Sequence, residues 1–119
     1  MSSVEGMWLM RSSEIADTVN AQSPSVIVLE SGKIFGGDSA YYYVGDYKVG
    51  VQHITGWVHT RTHTLYAEAE NVFGMRGAVD YKVDFSADMI DGVISGIMHP
   101  RAGEEVAQWF HMTRLADLP

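Results

Sequence analysis

The strongest constraint in this sequence is a strict alternation of apolar and charged side chains between residues 79 and 85. The run reads Val79-Asp80-Tyr81-Lys82-Val83-Asp84-Phe85, with an apolar or aromatic residue at every odd position and a charged residue at every even one. Successive side chains of a β-strand point to opposite faces of the sheet, so this period places the odd set on a core and the even set in water. The run therefore predicts a strand of an antiparallel sheet with one solvated face.

A second alternating segment is rich in tyrosine. Tyr41, Tyr43, Tyr47 and Val49 share one parity, opposite Asp46 and Lys48. Further short apolar runs predict strands over Gly6 to Ser12, Ser25 to Glu30, His53 to Tyr66, Val93 to Met98 and Val106 to Leu115. Helical periodicity is nearly absent, although a short helix or an ordered loop fits as well as a strand over Glu14 to Gln22 and Ala67 to Gly74. The pattern as a whole predicts an all-β protein.

Turn signals separate these segments at Glu30 to Lys33, Gly36 to Asp38, Asp91-Gly92 and His99 to Gly103. An Asp-Gly pair between apolar runs is typical of a type I′ hairpin turn, which needs positive φ at both central residues. About eight short strands joined by short turns favour a sandwich or a closed barrel. Because closure removes exposed sheet edges, we expect an antiparallel up-and-down β-barrel formed by one domain, residues 1–119.

Composition limits the chemistry that the chain can support. It contains no cysteine, which excludes disulfides, thiol catalysis and thiolate zinc sites. Eight Lys and Arg against fifteen Asp and Glu leave a formal net charge of −7, which argues against binding nucleic acid. Residues 1–10 contain no basic leader and no run of about 18 apolar residues occurs, so we expect no membrane association and a cytoplasmic location. The sequence shows no nucleophile with a base near it, no phosphate-binding loop and no metal-ligand spacing. We therefore expect no enzyme, no cofactor and no metal.

The opening strand begins Gly6-Met7-Trp8, and the last predicted strand carries Arg114 near its end. The Gly-x-Trp start resembles that of calycin barrels, the group that includes lipocalins, fatty-acid-binding proteins and avidins. In those families the tryptophan closes one end of the barrel, and a basic residue of the last strand lies across it. The resemblance implies that Trp8 is buried with Arg114 over its ring, a contact worth ~0.5–2 kcal/mol.

A longer segment resembles the signature of the GrlR-like family, small bacterial proteins named after a negative regulator of a type III secretion locus. It reads Glu30-Ser31-Gly32-Lys33-Ile34-Phe35-Gly36-Gly37-Asp38-Ser39-Ala40-Tyr41-Tyr42-Tyr43-Val44-Gly45. The family pattern also has the Gly-x-Trp start and an Arg-Leu stretch like that of residues 113–119, whereas residues 53–102 match it only in their alternation. The resemblance implies a lipocalin-like barrel of eight strands.

What this resemblance implies about function is narrower. The founding regulator holds a transcriptional activator, using a dimeric barrel and an acidic Glu-Asp-Glu-Asp run on a surface loop. The corresponding region here, near Val49 to Thr55, reads Val-Gly-Val-Gln-His-Ile-Thr and has no acidic residue. The resemblance therefore implies a shared barrel and a shared dimer, but not that activator as partner.

Several polar residues invite a chemical interpretation. His59, Arg61 and His63 share one parity, and on a strand the two histidines are separated by ~13 Å, too far to share a metal ion. We expect them on a solvated face. Asp38 follows two glycines, which suits a carboxylate that bonds the backbone of a tight bend. Trp57 shares the parity of His59, so it is either an exposed aromatic at an interface or a core residue.

The early strands are apolar on both faces, which requires cover for their outer side. We therefore expect a homodimer through that side, with Met7, Leu9, Ile27 and Leu29 as contacts. The interior of an eight-stranded barrel is either filled or hollow. If it is hollow, a small apolar ligand would lie among Trp8, Tyr41, Tyr43, Tyr47 and Phe110, with Arg114 as polar anchor.

Two functions remain after these exclusions. We favour a non-enzymatic regulator that acts through protein–protein interaction and whose acidic surface suits a basic protein partner. The alternative is a small apolar-ligand binder of calycin type.

Overall fold

A computed structural model describes residues 4–13, 24–65, 77–101 and 107–119. These residues contain eight strands and no helix. The strands are β1 (Gly6–Ser13), β2 (Ser25–Glu30), β3 (Lys33–Gly37), β4 (Tyr41–Gly50), β5 (His53–Thr62), β6 (Asp80–Ile90), β7 (Val93–Pro100) and β8 (Gln108–Ala116). Each strand pairs antiparallel with the next, and β8 pairs with β1, which closes the barrel. The predicted all-β up-and-down barrel is confirmed.

The alternating run at residues 79–85 behaves as its parity predicts. Val83 is buried in the core, and Tyr81 and Phe85 pack against it. Asp80 and Lys82, from the other parity, are exposed. The alternation of side chains along this strand is therefore sufficient to place its apolar residues in the core and its charged residues in solvent.

Two of the predicted turns have positive φ at both central residues, as was expected for Asp91-Gly92. Ser31 and Gly32 join β2 to β3 with φ of 51° and 79°, and Asp91 and Gly92 join β6 to β7 with φ of 53° and 77°. Positive φ at both central residues is the requirement of a type I′ turn, whose twist matches that of the flanking strands. These turns fix the registers Glu30↔Lys33 and Ile90↔Val93.

Other boundaries differ from the sequence-based expectation. The five-residue β3 was not among the predicted strands, because its two apolar residues are too few to show a period. β5 ends at Thr62 rather than Tyr66, and β7 continues through Pro100, where a turn was expected. Pro100 is tolerated because the Arg101 N–H makes the bond to β6, donating to the Lys82 carbonyl at 2.8 Å, and the pairing of β7 with β8 has already ended at Met98. No ladder bond therefore needs an N–H at position 100.

The core is built from inward-facing side chains of all eight strands. Its buried members are Val4, Trp8, Ile27, Leu29, Ile34, Tyr47, Ile54, Val83, Ala87, Ile94, Met98, Phe110 and Met112. Phe85 and Phe110 meet edge to face with ring centroids 6.0 Å apart, a favoured aromatic geometry. The segments Glu14 to Gln22 and Ala67 to Gly74 lie outside the described residues. Within the described ranges, no helix is long and apolar enough to span a membrane.

Candidate functional site

The outer face of strands β1 to β4 carries two rows of apolar side chains, which together we call the apolar face. The strand registers align Met7 with Val28, Val28 with Phe35, and Phe35 with Val44. The second row consists of Leu9, Val26 and Tyr42, with Gly37 between the last two. Phe35 and Val44 remain 48% and 45% exposed. Four adjacent strands therefore present a continuous hydrophobic surface to solvent.

Two of the four residues predicted as interface contacts do not lie on the apolar face. Met7 and Leu9 lie on it as expected, but Ile27 and Leu29 are core residues that are only 5% and 2% exposed. Ile27 is the register partner of Trp8, and directly paired residues share a face, so β2 turns its odd positions inward with that tryptophan. The outward residues of β2 are Val26 and Val28. Both parities of β2 are apolar, so its own sequence does not distinguish the two orientations.

The Trp8 end of the barrel has the arrangement that the calycin resemblance implies. Trp8 is fully buried and its indole Nε1 donates to the Val4 carbonyl at 2.9 Å. The Arg114 guanidinium lies 4.5 Å from the centre of the Trp8 ring and donates to the Glu5 carbonyl at 2.6 Å. Gly6 has a φ of 146°, and a side chain there would collide with Arg114. These contacts explain the Gly-x-Trp start.

A polar cluster organises the opposite end of the barrel around Asp38. Its carboxylate accepts hydrogen bonds from the backbone N–H groups of Ala40 and Tyr41 at 2.9 and 2.8 Å. It also accepts from the Ser25 hydroxyl at 3.1 Å and the Tyr43 hydroxyl at 2.8 Å. The predicted role of Asp38 in a tight bend is confirmed. Burial, and then the charge of Asp38, raise the pKa of the Tyr43 phenol, so this hydroxyl remains a donor.

The predicted ligand-binding residues do not converge on one place. Trp8, Tyr47 and Phe110 belong to the core cluster, and Arg114 covers one end of it. Tyr41 and Tyr43 lie at the Asp38 end. Arg114 is therefore not positioned to anchor a ligand held between those two tyrosines.

The outer face of β5 and β6 is polar and rich in ion pairs. His59 hydrogen-bonds with Asp80, and Arg61 lies 3.6 Å from the same carboxylate. His53 binds Asp88 at 2.8 Å. His59 and Arg61 confirm the expected solvated face, and the described residues include no cluster of three potential metal ligands. His63 is also exposed, but it lies beyond the end of β5, where its Nε2 donates to the Asp38 carbonyl at 2.8 Å.

Trp57 lies on the same face, between two cations. Lys82 and Arg101 approach its ring at 5.4 and 5.8 Å from the centroid. Arg101 also donates two hydrogen bonds to Asp84, at 3.2 and 2.8 Å, which hold the pKa of that carboxyl below its usual value. Trp57 is thus an outer-face aromatic rather than a core residue.

Sequence reasoning missed the central members of the apolar face, Val28, Phe35 and Val44. The apolar pair Ile34-Phe35 between two turn signals was the available signal, since one of two consecutive strand residues must face outward.

No protein-family model matches the chain, and no curated protein matches it.

Proposed function

We propose that the protein is a non-enzymatic, GrlR-like binding protein of the cytoplasm that acts as a homodimer through protein–protein interaction. The observation that carries the proposal is the apolar face of β1 to β4. Monomeric proteins rarely expose contiguous apolar patches of more than a few hundred Å², and larger patches are typical of interaction sites. Two aligned rows across four strands, with exposed side chains in both, form a contiguous surface of this kind.

A second copy of the chain is the occupant that fits this face. A two-fold dimer brings the same patch of both subunits together, so a net charge on the patch would repel the same charge on the other copy. The outward charged residues at the β2–β4 margin are two acids and two bases, Glu30, Asp46, Lys33 and Lys48. Lys33 and Asp46 already form a salt bridge at 2.8 Å. This local balance allows approach of two chains whose net charge of −7 would otherwise repel.

The apolar rows supply the centre of the interface and these charges its rim. A standard interface buries roughly 800 Å² on each partner. A dimer formed in this way leaves the outer faces of β5 to β7 accessible, because they lie on the other side of the closed barrel. The net charge of −7 suits a basic protein partner, which the chain would attract in a salt-dependent manner.

The alternative function, a carrier of a small apolar ligand, is less well supported. Side chains from all eight strands meet in the core, and the proposed anchor Arg114 is engaged at one end with Glu5 and Trp8. Native mass spectrometry that recovers a stoichiometric small molecule from the purified protein would favour the carrier.

Sedimentation of the purified protein tests the dimer. We expect twice the chain mass at tens of micromolar, and a monomer after Phe35→Asp, because this change places two charges near the two-fold axis. Ile90→Asp is the matched control, since Ile90 is 61% exposed but lies on β6, outside the apolar face. A monomeric wild type, or a Phe35→Asp variant that remains dimeric, would refute the proposed interface.

A further inference from the structure

Three residues on the outer face of β5 and β6 form a hydrogen-bonded series. The Ser86 hydroxyl lies 3.1 Å from Nε2 of His53, and Nδ1 of the same ring lies 2.8 Å from the Asp88 carboxylate. His53 and Asp88 are register partners, and Ser86 precedes Asp88 by two residues on the same face. The sheet therefore assembles a serine, a histidine and an aspartate in the order that activates a nucleophile.

The hydrogen bonds define the role of each group. Asp88 can only accept when ionised, so Nδ1 of His53 carries the proton that is donated to it. Nε2 is then free to accept the Ser86 proton as a general base. The carboxylate fixes this tautomer and stabilises the imidazolium that forms when the proton moves.

A half-open surface depression of about 260 Å³ lies beside the nucleophile. Its lining residues are Asp84, Phe85, Ser86, Ile97 and His99. Ile97 offers an apolar wall next to Ser86, its register partner, and His99 faces Asp84 in the same way. Such a space accommodates a small acyl group with its carbonyl at the Ser86 hydroxyl.

We infer that Ser86 is an activated serine that accepts an acyl group from an activated carboxylic ester. The Ser86 oxygen forms a bond to the carbonyl carbon, and the bond from that carbon to the leaving oxygen breaks. The Ser86 proton passes to Nε2 of His53 and then to the leaving group. The products are an acyl-serine and the alcohol or phenol, with no change in oxidation state.

This site is independent of the proposed dimer. The apolar face covers β1 to β4, whereas Ser86 lies on β6, on the other side of the barrel. A single acylation needs no turnover, so it is compatible with a protein that acts by binding. If Ser86 is not acylated, the proposed dimer is unaffected. If the protein is a monomer, the expected acylation of Ser86 is unaffected.

Incubation of the full chain with p-nitrophenyl acetate, followed by peptide mass spectrometry, tests the inference. Ser95 is the internal control, because it is also an exposed serine bonded to a histidine, His111, at 3.3 Å, but among the described residues no carboxylate bonds the other nitrogen of that ring. We expect acetylation of Ser86 at least about 10-fold faster than that of Ser95. His53→Gln should lower the rate at Ser86 by about 100-fold, the usual contribution of a general base.

Ser86→Ala should remove the adduct and Ser95→Ala should leave it unchanged, while both variants keep the circular dichroism spectrum of the wild type. Equal acetylation of the two serines would overturn the inference, as would an unaltered Ser86 rate in His53→Gln. Sustained release of p-nitrophenolate that depends on Ser86 would support the activated serine and contradict the non-enzymatic part of the proposed function.

Discussion

The Arg114 guanidinium lies 4.5 Å from the centroid of the Trp8 ring and joins the last strand of the barrel to the first. Register places the two residues opposite each other in the β1–β8 pair. The same guanidinium donates to the Glu5 carbonyl at 2.6 Å, so it satisfies a backbone acceptor while it covers the indole. The Arg114 side chain therefore covers one end of the barrel at the β1–β8 pair, where the sheet closes.

Removal of the tryptophan should destabilise the fold strongly. Trp8→Ala is expected to lower the free energy of unfolding by about 3–5 kcal/mol, because it deletes a fully buried ring. A double-mutant cycle with Arg114→Leu should yield a coupling of about 0.5–2 kcal/mol in urea melts. A loss below about 1 kcal/mol for Trp8→Ala would show that Trp8 is not a core residue.

Adjacent residues of β6 should differ in how much they stabilise the fold. Val83→Ala is expected to cost about 1–3 kcal/mol, because Val83 is buried in the core. Asp84→Asn should cost less than about 1 kcal/mol, because its salt bridge to Arg101 is well exposed to solvent. Denaturant melts at neutral pH measure both changes, and similar losses would contradict the assigned faces of the strand.

The paired strands β5 and β6 require a glycine at position 56. Gly56 pairs with Phe85, and a Cβ there would collide with the Asp46 carbonyl oxygen of β4 and lie 2.8 Å from two carbons of the Phe85 ring. Gly56→Val is therefore expected to cost about 1–3 kcal/mol by overpacking. Gly50→Ala is the control, since its Cβ would meet its nearest neighbour at 3.9 Å. If Gly56→Val melts like the wild type, the ring does not occupy this space.

Alkaline conditions should weaken the fold through Tyr43. Burial and the nearby Asp38 charge raise its pKa in the folded state. The neutral phenol therefore stabilises the folded protein fully below the unfolded pKa of about 10, and this contribution is lost as the pH rises above that value. Burial also raises the pKa of Tyr41 and Tyr47, which adds to the same effect.

Urea melts between pH 8 and pH 11 measure this dependence. The Tyr43→Phe variant should lose less stability over that interval than the wild type, because it has no phenol to ionise at the Asp38 cluster. An identical slope for Tyr43→Phe and wild type would show that Tyr43 does not contribute to the alkaline loss.

The amino-acid sequence by itself determined the strands whose two faces differ in polarity. In β6, only one orientation places Val83 inside and Lys82 in water, so its parity and the barrel class could be predicted. The Asp91-Gly92 turn was also predictable, because few residue pairs accept positive φ at both positions. Trp8 and Arg114 could be paired through the calycin resemblance.

Only the tertiary structure decided the features that depend on which strands are neighbours. β2 is apolar at both parities, and its pairing with β1 turned Ile27 inward beside Trp8 and left Val28 in the apolar face. His53 and Ser86 are 33 residues apart, and the β5–β6 register alone brings them into contact. Local sequence sets the period of a strand, whereas the register between strands sets which side chains meet, because each pairing is a long-range contact that no segment encodes alone.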